Sequence, residues 1–352
     1  MKKIALFSII SLLISLISCD DSIDVLADYE DIPVVYCLLN QNDTIHYVKV
    51  NKAFLGEASA ASMAQVADSL FYDNVEVWIN VSTNGQVVRR LDFTAVDTIP
   101  KPDGYFTNER NTIYVWVGEI TPKSTSGISY DYELRVNIAS ENIYCKSADP
   151  IGLVDNVQIL EPTVNRQISM THYDNGKVNA EYRTGENASL YQMIFRFYYI
   201  EVDLETNDTI WDLDPIQINL SGDVYTTPNQ EIKKEFTVQQ FYQLVSDNIS
   251  VKAGVQRLVR HPESVEFILY SADQNYKVYS EVSAPSSGIV QEKPFWTNIE
   301  SDSGYAAGLF AARYETRVIN RVTAATLDSL ARGVFTKDLN FATKDNWYYV
   351  SQ

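Results

Sequence analysis

The sequence predicts a mainly β protein: an N-terminal antiparallel β-sandwich over residues 32–150, then a second β-rich domain over residues 151–352 with two or three short helices. Three observations lead there. Short apolar or alternating runs recur along the chain with turn-forming residues between them, as strands of an antiparallel sandwich do. Hydrophobic residues make up 45% of the chain, with 23 Tyr, 14 Phe and 5 Trp, which supports a packed interior and excludes a disordered chain. Helical spacing behind a capping residue is confined to late positions. The length of 352 residues suits two domains.

Taken in order, residues 33–39 form a nearly continuous apolar strand, residues 40–43 are turn formers, and residues 44–50 alternate as a half-buried strand does. Together they read as a hairpin. An Ala- and Ser-rich stretch at 56–69 allows a short helical excursion around residues 60–67. Strands follow at 74–81 and 87–93, joined by the hairpin turn Asn84-Gly85. A loop with Pro100, Pro102 and Gly104 leads to strands at 112–117 and 130–138, and the first domain ends near Asp149-Pro150.

The second half opens with strands at 154–160 and 177–182. Residues 190–202 are dense in rings, and Tyr191, Phe195, Phe197, Tyr198 and Tyr199 read as core of a sheet covered on both faces. Thr237 can cap a helix with Gln240 three residues on and Phe241, Leu244 and Val245 as its apolar stripe. A strand at 265–270, a helix over 272–282 with Tyr276 and Tyr279, and a helix over 323–331 with Leu327 and Leu330 inward complete the reading. Gly304 and Gly308 flank Ala306 and Ala307, so close backbone approach between layers is expected there, against the alternative of a binding loop beside Trp296.

The N-terminus carries an address. Lys2 and Lys3 precede an apolar run over residues 4–17, broken only by Ser8, Ser11 and Ser15, which reads as a secretory signal over residues 1–18. The run is shorter than the roughly 20 residues that span a bilayer, and no second run of that kind occurs. It ends in Leu16-Ile17-Ser18-Cys19, which resembles a bacterial lipobox, in which the cysteine is diacylated before cleavage. Cys19 is therefore the expected lipidation site, and residues 19–31 an acidic tether. Acyl chains contribute about 0.8 kcal/mol per buried methylene, and more than one chain anchors stably.

The charge and the motifs bound the chemistry. With 28 basic and 46 acidic residues the formal net charge is −18, and loss of Lys2 and Lys3 with the signal deepens it. Such a surface repels phosphate backbones and excludes nucleic acid as a partner. His46, His172 and His261 are scattered, with no second histidine or cysteine at zinc-ligand spacing. There is no His-Glu-x-x-His, no Gly-x-Ser-x-Gly, no P-loop and no calcium loop. Asp212 and Asp214 beside Trp211 fit a sugar or calcium site, but a solvated acidic turn is the better explanation. No metal, cofactor or catalytic activity is expected, although paired carboxylates of a glycosidase leave no mark in sequence. Cys37 and Cys145 stand in strand-like segments; in an oxidising compartment they either form a disulfide tying the first to the last strand of the N-terminal domain or pack as two buried thiols.

Asp-(Ser/Thr)-aliphatic occurs six times, with Ser22, Thr44, Ser69, Thr98, Thr209 and Ser329 in its middle position. Composition alone gives roughly two such triplets. The pattern resembles the O-glycosylation acceptor of exported Bacteroidetes proteins, and Ser22 and Thr44 are the first candidates. Ordinary turn and cap pairs are the plain alternative.

The lipobox with its trailing Asp20 and Asp21, the early Val34-Val35-Tyr36 strand, and Thr297-Asn298-Ile299-Glu300 followed by Gly304 and Gly308-Leu309-Phe310 together resemble a family of Bacteroidetes outer-membrane lipoproteins of unknown function. Cys37 is a departure, standing where relatives often carry glycine. The resemblance implies an Ig-like sandwich followed by a second β-rich domain, no catalysis, and neighbours among TonB-dependent uptake systems. The acidic residues after Cys19 resemble the surface-export signal of that group; in an enterobacterial setting they would instead mean inner-membrane retention. The expected function is a non-enzymatic binding or accessory module, lipid-anchored in the outer membrane and facing outward, with a transporter or an extracellular glycan or protein as partner. An adhesin or appendage subunit is the alternative, and a carbohydrate-active enzyme a remote one.

Overall fold

The structure, a computed structural model, describes residues 32–53, 60–171, 173, 175–284 and 295–343. Cys19, Ser22 and His172, and the signal and tether, lie outside the described residues. The protein is mainly β, built around two hydrophobic cores.

The first core lies inside a sandwich of seven strands: β1 (Ile32–Asn40), β2 (Ile45–Ala53), β3 (Val75–Thr83), β4 (Gln86–Val96), β5 (Ile113–Val117), β6 (Asp131–Ile138) and β7 (Ile143–Ser147). Their neighbours are β1-β2-β5-β4 on one side and β3-β6-β7 on the other. That is the ABED and CFG order of an immunoglobulin constant-type sandwich. Strand β4 joins the two, pairing with β3 through Phe93 and with β5 from Thr94 onward. Alternation explains the packing: every second residue of β6 (Tyr132, Leu134, Val136, Ile138) is buried against Val35, Val48 and Val50 of the opposite layer. Near the start of β6 the Tyr132 hydroxyl donates to the Thr121 carbonyl at 2.8 Å, a tyrosine corner of the kind such sandwiches carry. The helical excursion is a single turn, α1 (Ala60–Met63), followed by a 3-10 turn at Ala67–Ser69.

Strand β8 (Ile151–Gly152) still pairs with β6 and buries Ile151 in the first core. The second half follows with β9 (Gln158–Glu161), β10 (Gln167–Ile168), β11 (Lys177–Arg183), β12 (Leu190–Phe197), β13 (Tyr199–Asp203), β14 (Thr209–Ile210), β15 (Ile216–Val224), β16 (Glu231–Thr237), β17 (Val255–Val259) and β18 (Val265–Ala272), most of which enclose the second core. Small sheets β16-β11-β9 and β14-β13-β17 accompany the main one. The three expected helices form: α2 (Val238–Asn248), α3 (Gln274–Ser283) and, near the end, α4 (Ala324–Arg332). Thr237, Asp273 and Thr323 cap them by accepting from the amides of Gln240, Tyr276 and Thr326. Tyr191, Phe195 and Phe197 are core as expected, with Tyr199 partly buried against them, whereas Tyr198 lies outside the core. Phe195 lies 4.7 Å from Phe236 and 5.2 Å from Phe267 between ring centres. The ring-rich run divides into two strands, β12 and β13, at Tyr198.

The linear division at residue 150 needs correction. After α3 the chain returns to the first sandwich: β19 (Ile299–Ser301) pairs antiparallel with β7, and the first half of β20 (Ala307–Val322) pairs parallel with β1. Ile299, Ala306, Phe310 and Ala312 belong to the first core. From Arg313 onward the same strand pairs antiparallel with β18, in the order β15-β12-β18-β20-β1-β2. One 16-residue strand thus runs through both halves. It makes the first sandwich not purely antiparallel and closes the β1 edge, while β19 closes the β7 edge; both would otherwise present unpaired backbone. Gly308 permits this: at φ +129 it lies so close to β1 that an added Cβ would sit 1.8 Å from the Val35 carbonyl oxygen. The expected close approach is met there.

Candidate functional site

Where β20 leaves one half for the other, a cleft of about 220 Å³ opens at the seam. Register across three strands builds its floor. Gln192 of β12 stands opposite Tyr270 of β18, and Tyr270 opposite Glu315 of β20. Asn40, Tyr276 and Arg313 supply walls from β1, α3 and β20. The cleft is held from outside: the Glu315 amide donates to Asn42 Oδ1 at 2.9 Å, fastening β20 to the β1–β2 turn. Beneath it, buried Asp273 caps α3 with one carboxylate oxygen and accepts from the Ala312 amide at 2.9 Å with the other. Burial pushes the Asp273 carboxyl up to about 6, against the pull of its backbone hydrogen bonds.

The same sheet face continues away from the cleft in two further rows, Ile194–Ile268–Arg317 and Arg196–Glu266–Ile319. Glu266 is 4% exposed and fully engaged: the Tyr198 hydroxyl donates to one oxygen at 2.7 Å and Arg317 to the other at 3.1 Å. Arg317 also pairs with Glu315. That bond first, with Glu266 behind it, holds the Arg317 guanidinium above its usual range despite burial. Ile268 and Ile194, in the row between these charged groups, are buried. Both carboxylates of this face are spent on arginine, so neither is presented as a free acid or base. Rings, an amide and a guanidinium facing a small concavity instead suit contact with a polar, uncharged or mixed ligand.

The residues singled out by sequence are dispersed. Thr44 is exposed at the tip of the β1–β2 hairpin and Thr98 is exposed after β4. Ser69, Thr209 and Ser329 are half-buried; Ser329 lies inside α4 with its hydroxyl donating to the Ala325 carbonyl at 2.9 Å. His46 is buried on β2, stacked on Trp116 with ring centres 5.4 Å apart, and burial lowers its pKa. Trp211 packs against the small cluster of Ile200, Leu258 and Ala342, while Asp212 and Asp214 face solvent. Among the described residues no three His, Cys, Asp or Glu side chains gather as a metal site.

The disulfide reading is corrected: Cys37 and Cys145 are both free thiols, buried in the same core. The reason is the returning segment. Phe310 of β20 takes the place beside Cys37, and Ser301 of β19 the place beside Cys145. Burial pushes Cys145 up to about 11 and Cys37 further still, so neither is a thiolate near neutrality.

Among the described residues no helix is long and apolar enough to cross a membrane. No protein-family model and no curated protein matches the chain. Among solved structures, the C-terminal globular domain of an oligosaccharyltransferase from Pyrococcus abyssi aligns over 79% of this chain and 44% of that one, at 8% identity and a TM-score of 0.22. The chain thus spans less than half the length of that structure, and a likeness this slight carries no argument.

Proposed function

We propose that the protein is a non-enzymatic binding or accessory module, held by a lipid on Cys19 at the outer membrane and facing outward, which presents the seam cleft to an extracellular glycan or protein beside an outer-membrane transporter. The observation that supports this reading is the Gln192–Tyr270–Glu315 floor with Tyr276 and Arg313 beside it, an ordered ring-and-amide surface whose carboxylates are already paired. Such a surface recognises rather than transfers protons. Closure of the β1 and β7 edges within the chain removes two places where an appendage subunit would accept a neighbour's strand.

Crosslinking on intact cells, followed by identification of neighbours, tests location and partner together. A transporter or surface glycoconjugate is the expected neighbour, and Tyr270→Ala with Arg313→Ala should weaken its recovery by roughly tenfold, about 1.4 kcal/mol. Filaments forming from purified protein, or turnover on a polysaccharide panel, would replace this reading with the appendage or the enzyme respectively.

A further inference from the structure

A second cleft, of about 310 Å³, lies on the outer face of the first sandwich, apart from the seam. Its floor is β2, from which Lys49 and Lys52 project. The chain over residues 97–112 brings Lys101 and Asn111 to it, Phe71 and Phe106 form its apolar walls, and Arg110 stands beside the cleft over the Phe71 ring. Four cations stand over rings: Lys49 4.7 Å and Arg110 5.5 Å from the centre of Phe71, Lys101 5.4 Å from Phe106, and Lys52 4.8 Å from Tyr72.

Two of the four have a carboxylate within reach: Lys52 lies 3.8 Å from Glu141, and Arg110 lies 2.8 Å from Asp73. Lys49 and Lys101 do not, among the described residues. Lys49 donates to Asn111 Oδ1 at 2.7 Å and to the Thr112 carbonyl at 2.9 Å. Lys101 donates to the carbonyls of Phe106 at 3.1 Å and Thr107 at 3.0 Å. Both ammoniums therefore rest on neutral oxygens while lining one cleft. On a chain with 46 acidic residues, gathering two cations with no carboxylate in salt-bridge contact is the reverse of what solubility alone arranges.

The electrostatics agree with the geometry. Burial, then the charges of Lys101 and Arg110, bring Lys49 down to about 8, and Asp97 offsets this only in part. An anion between Lys49 and Lys101 would relieve that repulsion. The volume of the cleft stands at the lower end of the roughly 300–1,000 Å³ typical of small-molecule sites.

We propose that the Lys49–Lys101 cleft binds a compact oxyanion, a carboxylate or a sulfate, with Phe71 and Phe106 available to any small organic body that carries it. The bound anion sits between the two ammoniums, and Lys52 and Arg110 form an outer ring of charge already tempered by Glu141 and Asp73. Binding weakens as pH rises beyond 8, because Lys49 then gives up its proton.

Calorimetric titration of the mature protein at low ionic strength tests this, with inorganic sulfate, glucose 6-sulfate, glucuronate and glucose as probes. At least one anionic probe is expected to bind at pH 7, with affinity falling tenfold or more in Lys101→Gln and again at pH 9.5. Glucose should not bind, and Lys277→Gln, on α3, should change nothing. Equal affinity for inorganic sulfate and glucose 6-sulfate identifies the free anion as the ligand; a tenfold preference for a sugar-borne anion identifies an acidic saccharide. Silence from all three anions, or binding indifferent to Lys101→Gln, overturns the proposal and leaves the seam cleft untouched.

Discussion

Asn298 and Phe310 bond to each other as two strand residues would: the Asn298 side-chain amide donates to the Phe310 carbonyl at 2.7 Å, and its oxygen accepts from the Phe310 amide at 2.8 Å. The Asn298 carbonyl meanwhile accepts from the Ala148 amide at 2.9 Å. One residue therefore ties the end of β7 to β20 just before that strand changes sheets. Asn298→Ala leaves buried backbone groups of Phe310 without these partners and is expected to cost about 1–3 kcal/mol. Urea unfolding should show a lower midpoint with an unchanged slope; a midpoint equal to that of the parent would show the pair to be energetically idle.

Gly308 makes a sharper prediction. A methyl group there meets β1 backbone, not a side chain that can swing away, and the backbone is held at positive φ. Strain and overpacking together make Gly308→Ala cost about 2–4 kcal/mol. Amide exchange should speed up in β1 and the first half of β20 more than in β11 or β16. Uniform exchange rates across the molecule would contradict the close approach.

These contacts also mark what could be read from sequence and what could not. The hairpin of β1 and β2, the cap at Thr237 and the apolar stripe of Phe241 and Val245 are local patterns, and each formed where periodicity placed it. Strand β20 was illegible because its first half is buried on both faces, so Leu309, Phe310, Ala311 and Ala312 show no alternation. The break at Tyr198 was hidden for a related reason: rings continue through it, although its hydroxyl turns to Glu266. Gln192, Tyr270 and Glu315 are unremarkable alone. Only the pairing of three strands distant in sequence brings them to one floor.

Asp273 should leave a mark on the pH dependence of stability. Its folded pKa, about 6, is raised above the ordinary carboxyl value, so the protonated form is favoured by folding. The stability it contributes is fully present below about pH 4 and is lost as pH rises through 6. Relative to Asp273→Asn, the parent protein is expected to lose roughly 1–3 kcal/mol between pH 4 and pH 7. Paired urea melts at the two pH values measure the difference directly, and a gap that does not move with pH would place the carboxyl at its normal value.

Glu201 and Arg257 form the opposite case. Arg257 is 1% exposed and donates to Glu201 Oε1 at 2.7 Å, to the Leu339 carbonyl at 2.6 Å and to the Ser250 carbonyl at 2.9 Å. Burial alone would raise the Glu201 carboxyl, but the bonds to Lys252 and Arg257 outweigh it and hold it below the usual range. The contribution is therefore present at neutral pH and lost on acidification through that lowered pKa. Glu201→Gln strands a buried guanidinium and is expected to cost about 3–5 kcal/mol at pH 7, with less of a penalty in acid. Thermal melts at pH 7 and pH 3 would expose the reverse ordering if it held.

The two core cysteines offer a test that needs no substitution. Cys37 and Cys145 face the same interior as free thiols, each with a residue of the returning segment beside it. Native protein incubated with iodoacetamide should gain no adduct at either, because buried, protonated thiols are poor nucleophiles. In denaturant and without any reductant, both should be alkylated, and peptide mapping should find each carrying one adduct. Labelling that appears only after reduction would instead mean that oxidation can draw β1 and β7 together despite Phe310, and the packing of β20 against β1 would have to give way to allow it.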